Sequence, residues 1–173
     1  MADMTATGPV DTAFLEDFGN RWLDAWNGHQ PDVLLALMTD DIVYDDSAWP
    51  TTMRGHAEVR EFLEHTWRAF PDLTFDLVDG PFAHPEQPKA AYHWSGTGTH
   101  TGPIDPPGLA ATGKRMQFEG VDFHTYRDGK VARLQIVFDM AEAMRQLGTL
   151  PPAGSRGERV MVRLGNLGTK LRR

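Results

Sequence analysis

The run from Lys114 to Gly148, KRMQFEGVDFHTYRDGKVARLQIVFDMAEAMRQLG, constrains the fold more tightly than any other stretch of the chain. Asp128-Gly129 separates two strand-like segments, and this dipeptide tolerates the positive φ of a tight two-residue turn. The second segment leads directly into a helix that closes at Gln146-Leu147-Gly148. With Asp128 and Gly129 as the loop, Arg127 faces Lys130 and the other cross-strand partners follow by counting. Val121 falls opposite Ile136, Phe123 opposite Leu134 and Asp122 opposite Gln135. Side-chain alternation then groups Val121, Phe123 and Thr125 with Leu134, Ile136 and Phe138. Asp122, His124, Arg133 and Gln135 take the opposite face. This register predicts an apolar row toward the interior, with Asp122 and His124 exposed or at a subunit interface.

One irregularity bears on that register. Met116 and Phe118 are apolar at even positions, whereas Val121 and Phe123 are apolar at odd ones. An extra residue near Glu119-Gly120, a β-bulge, would bring all four to the core face and curve the sheet.

The preceding chain reads as helices, then strands. Residues 1–10 are expected to be a disordered leader. From Asp11, the spacing of Leu15, Phe18, Trp22 and Trp26 is helical, and Asn27-Gly28 ends the pattern. A short helix fits Pro31 to Met38, with proline at the tolerated first turn. Ile42 to Asp46 reads as a strand with Ile42, Tyr44 and Asp46 on one side. A third helix carries Val59, Phe62, Leu63, Thr66, Trp67 and Phe70 and stops at Pro71. Leu73, Phe75 and Leu77 alternate with polar residues, and turns are expected at Gly80-Pro81 and around Pro85 and Pro88. Lys89 to Thr101 is a long strand in which Tyr92, Trp94, Gly96, Gly98 and His100 share parity. A Pro/Gly-rich loop, Gly102 to Gly113, precedes the hairpin. Helices followed by bent antiparallel strands predict an α+β domain over residues 11–149, a cone-shaped curved antiparallel sheet wrapped around N-terminal helices.

Charge narrows the function. The chain carries a net −7, and residues 152–173 alone carry +5, so the part before them carries −12. An acidic body argues against nucleic-acid binding, and the basic C-terminal tail (150–173) is expected to meet an acidic surface. Val160, Leu164, Leu167 and Leu171 form a short amphipathic stripe there, predicted to dock on the domain or on a second subunit, with a membrane surface as the less favoured alternative. No apolar run reaches the roughly 18–20 residues of a spanning helix, and the first ten residues lack a secretory pattern, so a cytoplasmic location is expected. The chain has no cysteine, and His56-x-Glu58 and Glu64-His65 lack the helical spacing of a zinc site. Neither metal nor cofactor is expected.

Several motifs in order resemble SnoaL-like proteins of the nuclear-transport-factor-2-like superfamily. They are strand Ile42–Asp46, Gly55, Gly98-Thr99-His100-Thr101-Gly102, Thr112-Gly113-Lys114, Asp128-Gly129-Lys130-Val131 and the closing Phe138-Asp139 with Gln146-Leu147-Gly148. The resemblance covers roughly Phe14 to Gly148 and implies a cone-shaped domain. The superfamily includes polyketide (ester) cyclases, epoxide hydrolases, ketosteroid isomerases and non-catalytic binding proteins, so the fold does not fix the reaction. The epoxide hydrolases carry Tyr-x-Asn on the first strand, where this chain has Tyr44-Asp45-Asp46. Their Arg-x-Asp pair falls near Tyr92 and Trp94. The catalytic aspartate common on the last strand falls at Ile136, so the acid implied by the resemblance is replaced.

The candidate catalytic residues are therefore Asp46 as base, with Tyr44 and His100 as hydrogen-bond donors. A carboxyl among aromatic rings is desolvated and its pKa rises toward the range useful to a base. Trp49, Tyr92, Trp94, Phe118, Phe123 and Ile136 are the candidate ligand-binding wall. Asp139-Met140-Ala141-Glu142 reads as a helix N-cap rather than a catalytic carboxylate. The ligand expected is a small hydrophobic molecule, polycyclic or carbonyl-bearing, bound by a homodimer. A cofactor-free cyclase, isomerase or hydrolase and a non-catalytic binding protein both fit these residues.

Overall fold

The computed structural model describes residues 8–105 and 108–171, with side chains to 167. Helices α1 (Thr12–Asn27), α2 (Pro31–Ala36) and α3 (Gly55–Ala69) interleave with strands β1 (Met38–Asp46) and β2 (Met53–Arg54). Strands β3 (Thr74–Ala83), β4 (Lys89–Thr99), β5 (Arg115–Arg127) and β6 (Lys130–Phe138) follow, then helices α4 (Met140–Leu147) and α5 (Arg156–Leu171). The strands form one curved six-stranded sheet in the order β2-β1-β6-β5-β4-β3. Every pairing is antiparallel except β1 with β6, which is parallel. The α+β architecture is that expected, with this parallel junction added.

Local chemistry sets the element ends. Asp11 accepts a hydrogen bond from the Phe14 N–H and opens α1, whose stripe of Leu15, Phe18, Trp22 and Trp26 is buried. Asp139 accepts the Glu142 N–H at 2.9 Å and opens α4, as a helix N-cap does. Gly80-Pro81 does not end a strand. It lies inside β3, where pairing with β4 is interrupted, and β3 is a sheet edge that tolerates a residue without N–H. Residues 1–7 of the expected leader lie outside the described residues, and Val10 packs against the core.

The hairpin register departs from the simple count. Arg127 pairs with Lys130, but the register shifts between Thr125 and Tyr126, where β6 holds Ala132 as an extra residue. Beyond that bulge Asp122 pairs with Ile136 and His124 with Leu134. The expected bulge at Glu119-Gly120 is absent; β5 pairs with β4 without interruption from Arg115 to Thr125. The consequence reverses the two faces of β5, while β6 keeps the expected ones, Leu134 and Ile136 inward and Arg133 and Gln135 outward. Met116, Asp122, His124 and Tyr126 are buried with Leu134 and Ile136, while Phe123 and Val137 are about half exposed on the outer face. A single inserted residue suffices because side chains alternate with a period of two.

The inner face of the sheet and helices α1 and α3 enclose the main core, rich in aromatic rings. A smaller cluster of Ala69, Phe70, Leu73 and Met116 is closed by Ala143 and Leu147 of α4. Helix α5 follows α4 along the chain and leaves its apolar stripe uncovered among the described residues. Its Val160, Met161, Val162, Leu164 and Leu167 are exposed, contrary to the expected docking on the domain, and the side chain of Leu171 lies outside those described. Among the described residues no helix is long and apolar enough to cross a membrane.

Candidate functional site

Between the sheet and the helices lies a cavity of about 340 Å³. That volume falls in the roughly 300–1,000 Å³ range of small-molecule sites. Trp22, Trp26, Trp49, Trp94, Phe62 and Phe118 supply much of its wall. The titratable groups among its described lining residues are Asp46, Asp122, Tyr92, His65 and His124, with no lysine or arginine.

The sheet register assembles the polar end. Asp46 of β1 pairs with Ile136 of β6, Ile136 with Asp122 of β5, and Asp122 with Tyr92 of β4. These four residues thus form one row across the inner face. Neighbouring strands are about 4.8 Å apart, so the two aspartates flank Ile136 at roughly twice that spacing. In the next row Tyr44, Leu134 and His124 lie side by side. On the other flank Gly120 pairs with both Phe138 and Trp94.

Gly120 has a steric purpose. A Cβ there would lie 2.4 Å from Cζ2 of Trp94, so only glycine lets the indole lie against β5. In that position the Trp94 Nε1–H donates to Asp122 Oδ1 at 2.7 Å. The other carboxyl oxygen, Oδ2, stands 3.6 Å from His124 Nε2. On the far side of the ring, His124 Nδ1 is 3.1 Å from the Tyr126 hydroxyl. That hydroxyl lies 2.8 Å from the Tyr92 hydroxyl, which donates to the Leu15 carbonyl at 3.0 Å. Burial raises both tyrosines, Tyr92 to about 12, so each keeps its hydrogen at neutral pH.

Asp46 is held differently. Its Oδ1 accepts the Ala48 N–H at 2.7 Å, and the adjoining Ser47 hydroxyl donates to the Ile136 carbonyl at 3.0 Å. Burial pushes Asp46 up to about 7; the Ala48 hydrogen bond opposes this and the charge of Asp122 adds to it. A carboxyl titrating near neutrality can both take and return a proton. At the cavity rim, His65 Nε2 accepts the Asp105 N–H at 3.0 Å, tying down the loop whose Ile104 and Leu109 reach the cavity.

Of the expected residues, Asp46, Trp49, Tyr92, Trp94, Phe118 and Ile136 all line this cavity. Tyr44 is fully buried beside it, its hydroxyl without a protein partner and its pKa raised by burial and by the charges of Asp46 and Asp122. Two placements are corrected. Phe123 is 48% exposed on the outer face, put there by the Ala132 bulge, and cannot touch a ligand inside. His100 does not line the cavity; it is buried against Phe70, with Nδ1 accepting the Thr112 N–H. Asp122 and His124, expected to be exposed or at a subunit interface, are buried and line the cavity. The signal for them was the unbroken even parity of Met116, Phe118, Asp122, His124 and Tyr126, legible when β5 is counted against β4 instead of from the turn.

Residues 16–147 match the family described as SnoaL-like polyketide cyclase. No curated protein matches the chain. Among solved structures, TsrD from Streptomyces laurentii is 26% identical with a TM-score of 0.70, covering 82% of this chain and 99% of its own. AclR from Streptomyces galilaeus, described as a putative hydroxylase, is 25% identical with a TM-score of 0.68 over 82% of this chain and 100% of its own. A putative SnoaL-like polyketide cyclase from Jannaschia sp. CCS1 is 19% identical, with a TM-score of 0.69 over 87% of this chain and 100% of its own, and shares the fold. The chain belongs to the SnoaL-like polyketide cyclase family, with the nuclear-transport-factor-2-like fold.

Proposed function

We propose that the protein binds a small, apolar, carbonyl-bearing molecule in this cavity and closes a ring in it by acid–base chemistry. One observation carries the reading: two carboxyls and a histidine gather at one end of a cavity walled mainly by aromatic rings. The Asp46 carboxylate removes a proton from carbon next to a carbonyl. The resulting enolate carbon bonds to a second carbonyl of the same molecule, and the alkoxide formed takes back the proton that Asp46 removed, with the Asp122–His124 pair as the relay. The resemblance puts an acid at position 136. Here Ile136 is flanked in its row by Asp46 and Asp122, so carboxyls on the two neighbouring strands supply the missing group. These side chains suffice for proton transfer, and the reading calls for no cofactor.

A bicyclic aryl ketone such as 1-tetralone tests the first step without knowledge of the natural substrate. Wild-type protein should accelerate exchange of its α-hydrogens in D₂O, followed by NMR. Asp46→Asn should abolish the acceleration while tryptophan quenching still reports binding. Binding without exchange in the wild type would favour the second reading, a non-catalytic carrier, for which the aliphatic Ile136 speaks.

The same reading includes a homodimer. Phe82 and Phe123 flank Ala91 in one outer row, and Val121 lies beside Val137 in the next, an apolar surface suited to a second copy. Light scattering on the eluting protein should give twice the chain mass; a monomer would refute it.

A further inference from the structure

His124 is enclosed in the protein, and its two nitrogens face different environments. Nε2 has no hydrogen-bond partner and looks toward Asp122 and the cavity. Nδ1 looks away, toward Tyr126. Which nitrogen carries the hydrogen follows from counting hydrogens along the chain of contacts. The Leu15 carbonyl can only accept, so the single hydroxyl hydrogen of Tyr92 is committed to it. The 2.8 Å contact between the two tyrosine oxygens then needs the hydrogen of Tyr126. With that hydrogen spent, Tyr126 can only accept from His124, and Nδ1 must be the donor. The opposite assignment leaves two hydroxyl oxygens 2.8 Å apart with no hydrogen between them.

We propose that Tyr126 and Tyr92 are positioning residues that hold His124 with its hydrogen on Nδ1, leaving Nε2 alone to exchange protons with Asp122 and a ligand. A histidine's two nitrogens are distinct, and the bond made by one decides what the other can do. The catalytic consequence rests on the acid–base function proposed above; the tautomer does not. A ligand hydroxyl, an enol or a phenol, is the chemistry that would meet Nε2 as a donor in that state.

Long-range ¹H–¹⁵N correlation on the full-length labelled protein reads the tautomer directly, with His124→Gln identifying the His124 signals among the seven histidines. The wild type is expected to show a protonated Nδ1. Tyr126→Phe removes the acceptor and should shift His124 toward the Nε2–H form. Tyr92→Phe acts one link further away: it keeps the ring that packs on the imidazole, frees the Tyr126 hydrogen to point at Nδ1, and should also favour Nε2–H. Tyr126→Phe, at a residue outside the cavity lining, should slow ketone exchange by about tenfold or more at unchanged binding, as a misassigned imidazole does in other acid–base sites. A wild-type His124 protonated on Nε2 alone, or an Nδ1 signal unmoved in both variants, would overturn the proposal. Wild-type protein with protonated Nδ1, and variants that shift it, uphold the positioning role even if no ketone exchange is seen, an outcome that would count against the acid–base function instead.

Discussion

Two buried histidines, at opposite ends of the sheet's inner face, each have an Nε2 without a hydrogen-bond partner but differ in what surrounds them. His100, where β4 gives way to the loop, stacks on Phe70 and takes a backbone N–H on Nδ1. Burial pulls its pKa below the ordinary histidine value, with a partial offset from a hydrogen bond to the Gly102 backbone. His124, near the C-terminal end of β5, has hydroxyls behind it and a carboxyl in front. Its ring also packs on Trp22 and Tyr92, which line the cavity. The difference teaches that burial alone does not mark a working histidine. What marks it is a nitrogen turned toward open space beside a second titratable group.

Replacing each histidine is the strongest test of that contrast. His124→Gln should lower proton transfer to the ketone probe by roughly 10²–10⁴, the usual contribution of a positioned acid–base group. His100→Gln should leave the rate per folded molecule within a few-fold. Equal losses in the two variants would dissolve the distinction. Asp46 sharpens it from the other side of Ile136. Its carboxylate is the working form, so wild-type activity should fall as pH drops through about 7. Stability should run the opposite way. A folded carboxyl titrating at about 7 against about 3.9 unfolded disfavours the ionised fold, so wild-type stability declines as pH rises from about 4 to 7. Partial solvent access reduces the effect, leaving Asp46→Asn more stable at pH 8 by on the order of 1–2 kcal/mol, read by denaturant unfolding at both pH values.

Much of this was legible in the sequence and some was not, for one physical reason. Asp128-Gly129, the helical stripe of α1, the parity of β4 and the Asp139 cap are local signals, and each is found as read. The site depends on register, which is not local. Ala132 is a small residue in a run of mixed polarity, and nothing in its neighbours announces a bulge. Hydrophobicity then pointed the wrong way, because β5 exposes Phe123 outside and buries Asp122 and His124 inside. A strand that turns its polar residues inward at a functional site breaks the pattern from which strand faces are inferred. Asp46 was legible because β1 is anchored by Ile42 and Tyr44, which are both wholly buried on the side it shares.

Gly120→Ala should disturb the His124 end without altering any titratable group. Its new Cβ would meet Trp94 at 2.4 Å and the Val137 carbonyl oxygen at 2.9 Å, so the indole must move. Overpacking of this kind costs about 1–3 kcal/mol. Asp122 would also lose its indole donor as the ring is displaced. Gly120→Ala should change the ketone-exchange rate and shift the indole fluorescence through the displacement of Trp94. A Gly120→Ala protein as stable and active as wild type would mean that Trp94 does not hold Asp122.

The smallest expected effect belongs to His100, and its sign separates a structural histidine from a working one. Because its folded pKa is depressed, His100 is neutral in the fold and takes up a proton on unfolding. It therefore adds stability above its unfolded pKa of about 6.5, and that contribution is lost as pH falls through the interval down to the folded value. His100→Gln keeps a polar side chain but loses the stacking on Phe70 and the bond from the Thr112 N–H. A deficit of about 1 kcal/mol at pH 8 is expected, or about 2–4 °C in melting temperature for a chain of this length. At pH 5 the deficit should shrink, because only the wild type then has a buried histidine resisting its proton. A deficit that instead grows as the pH falls would mean that His100 is held charged in the fold, which would return it to consideration as a proton donor.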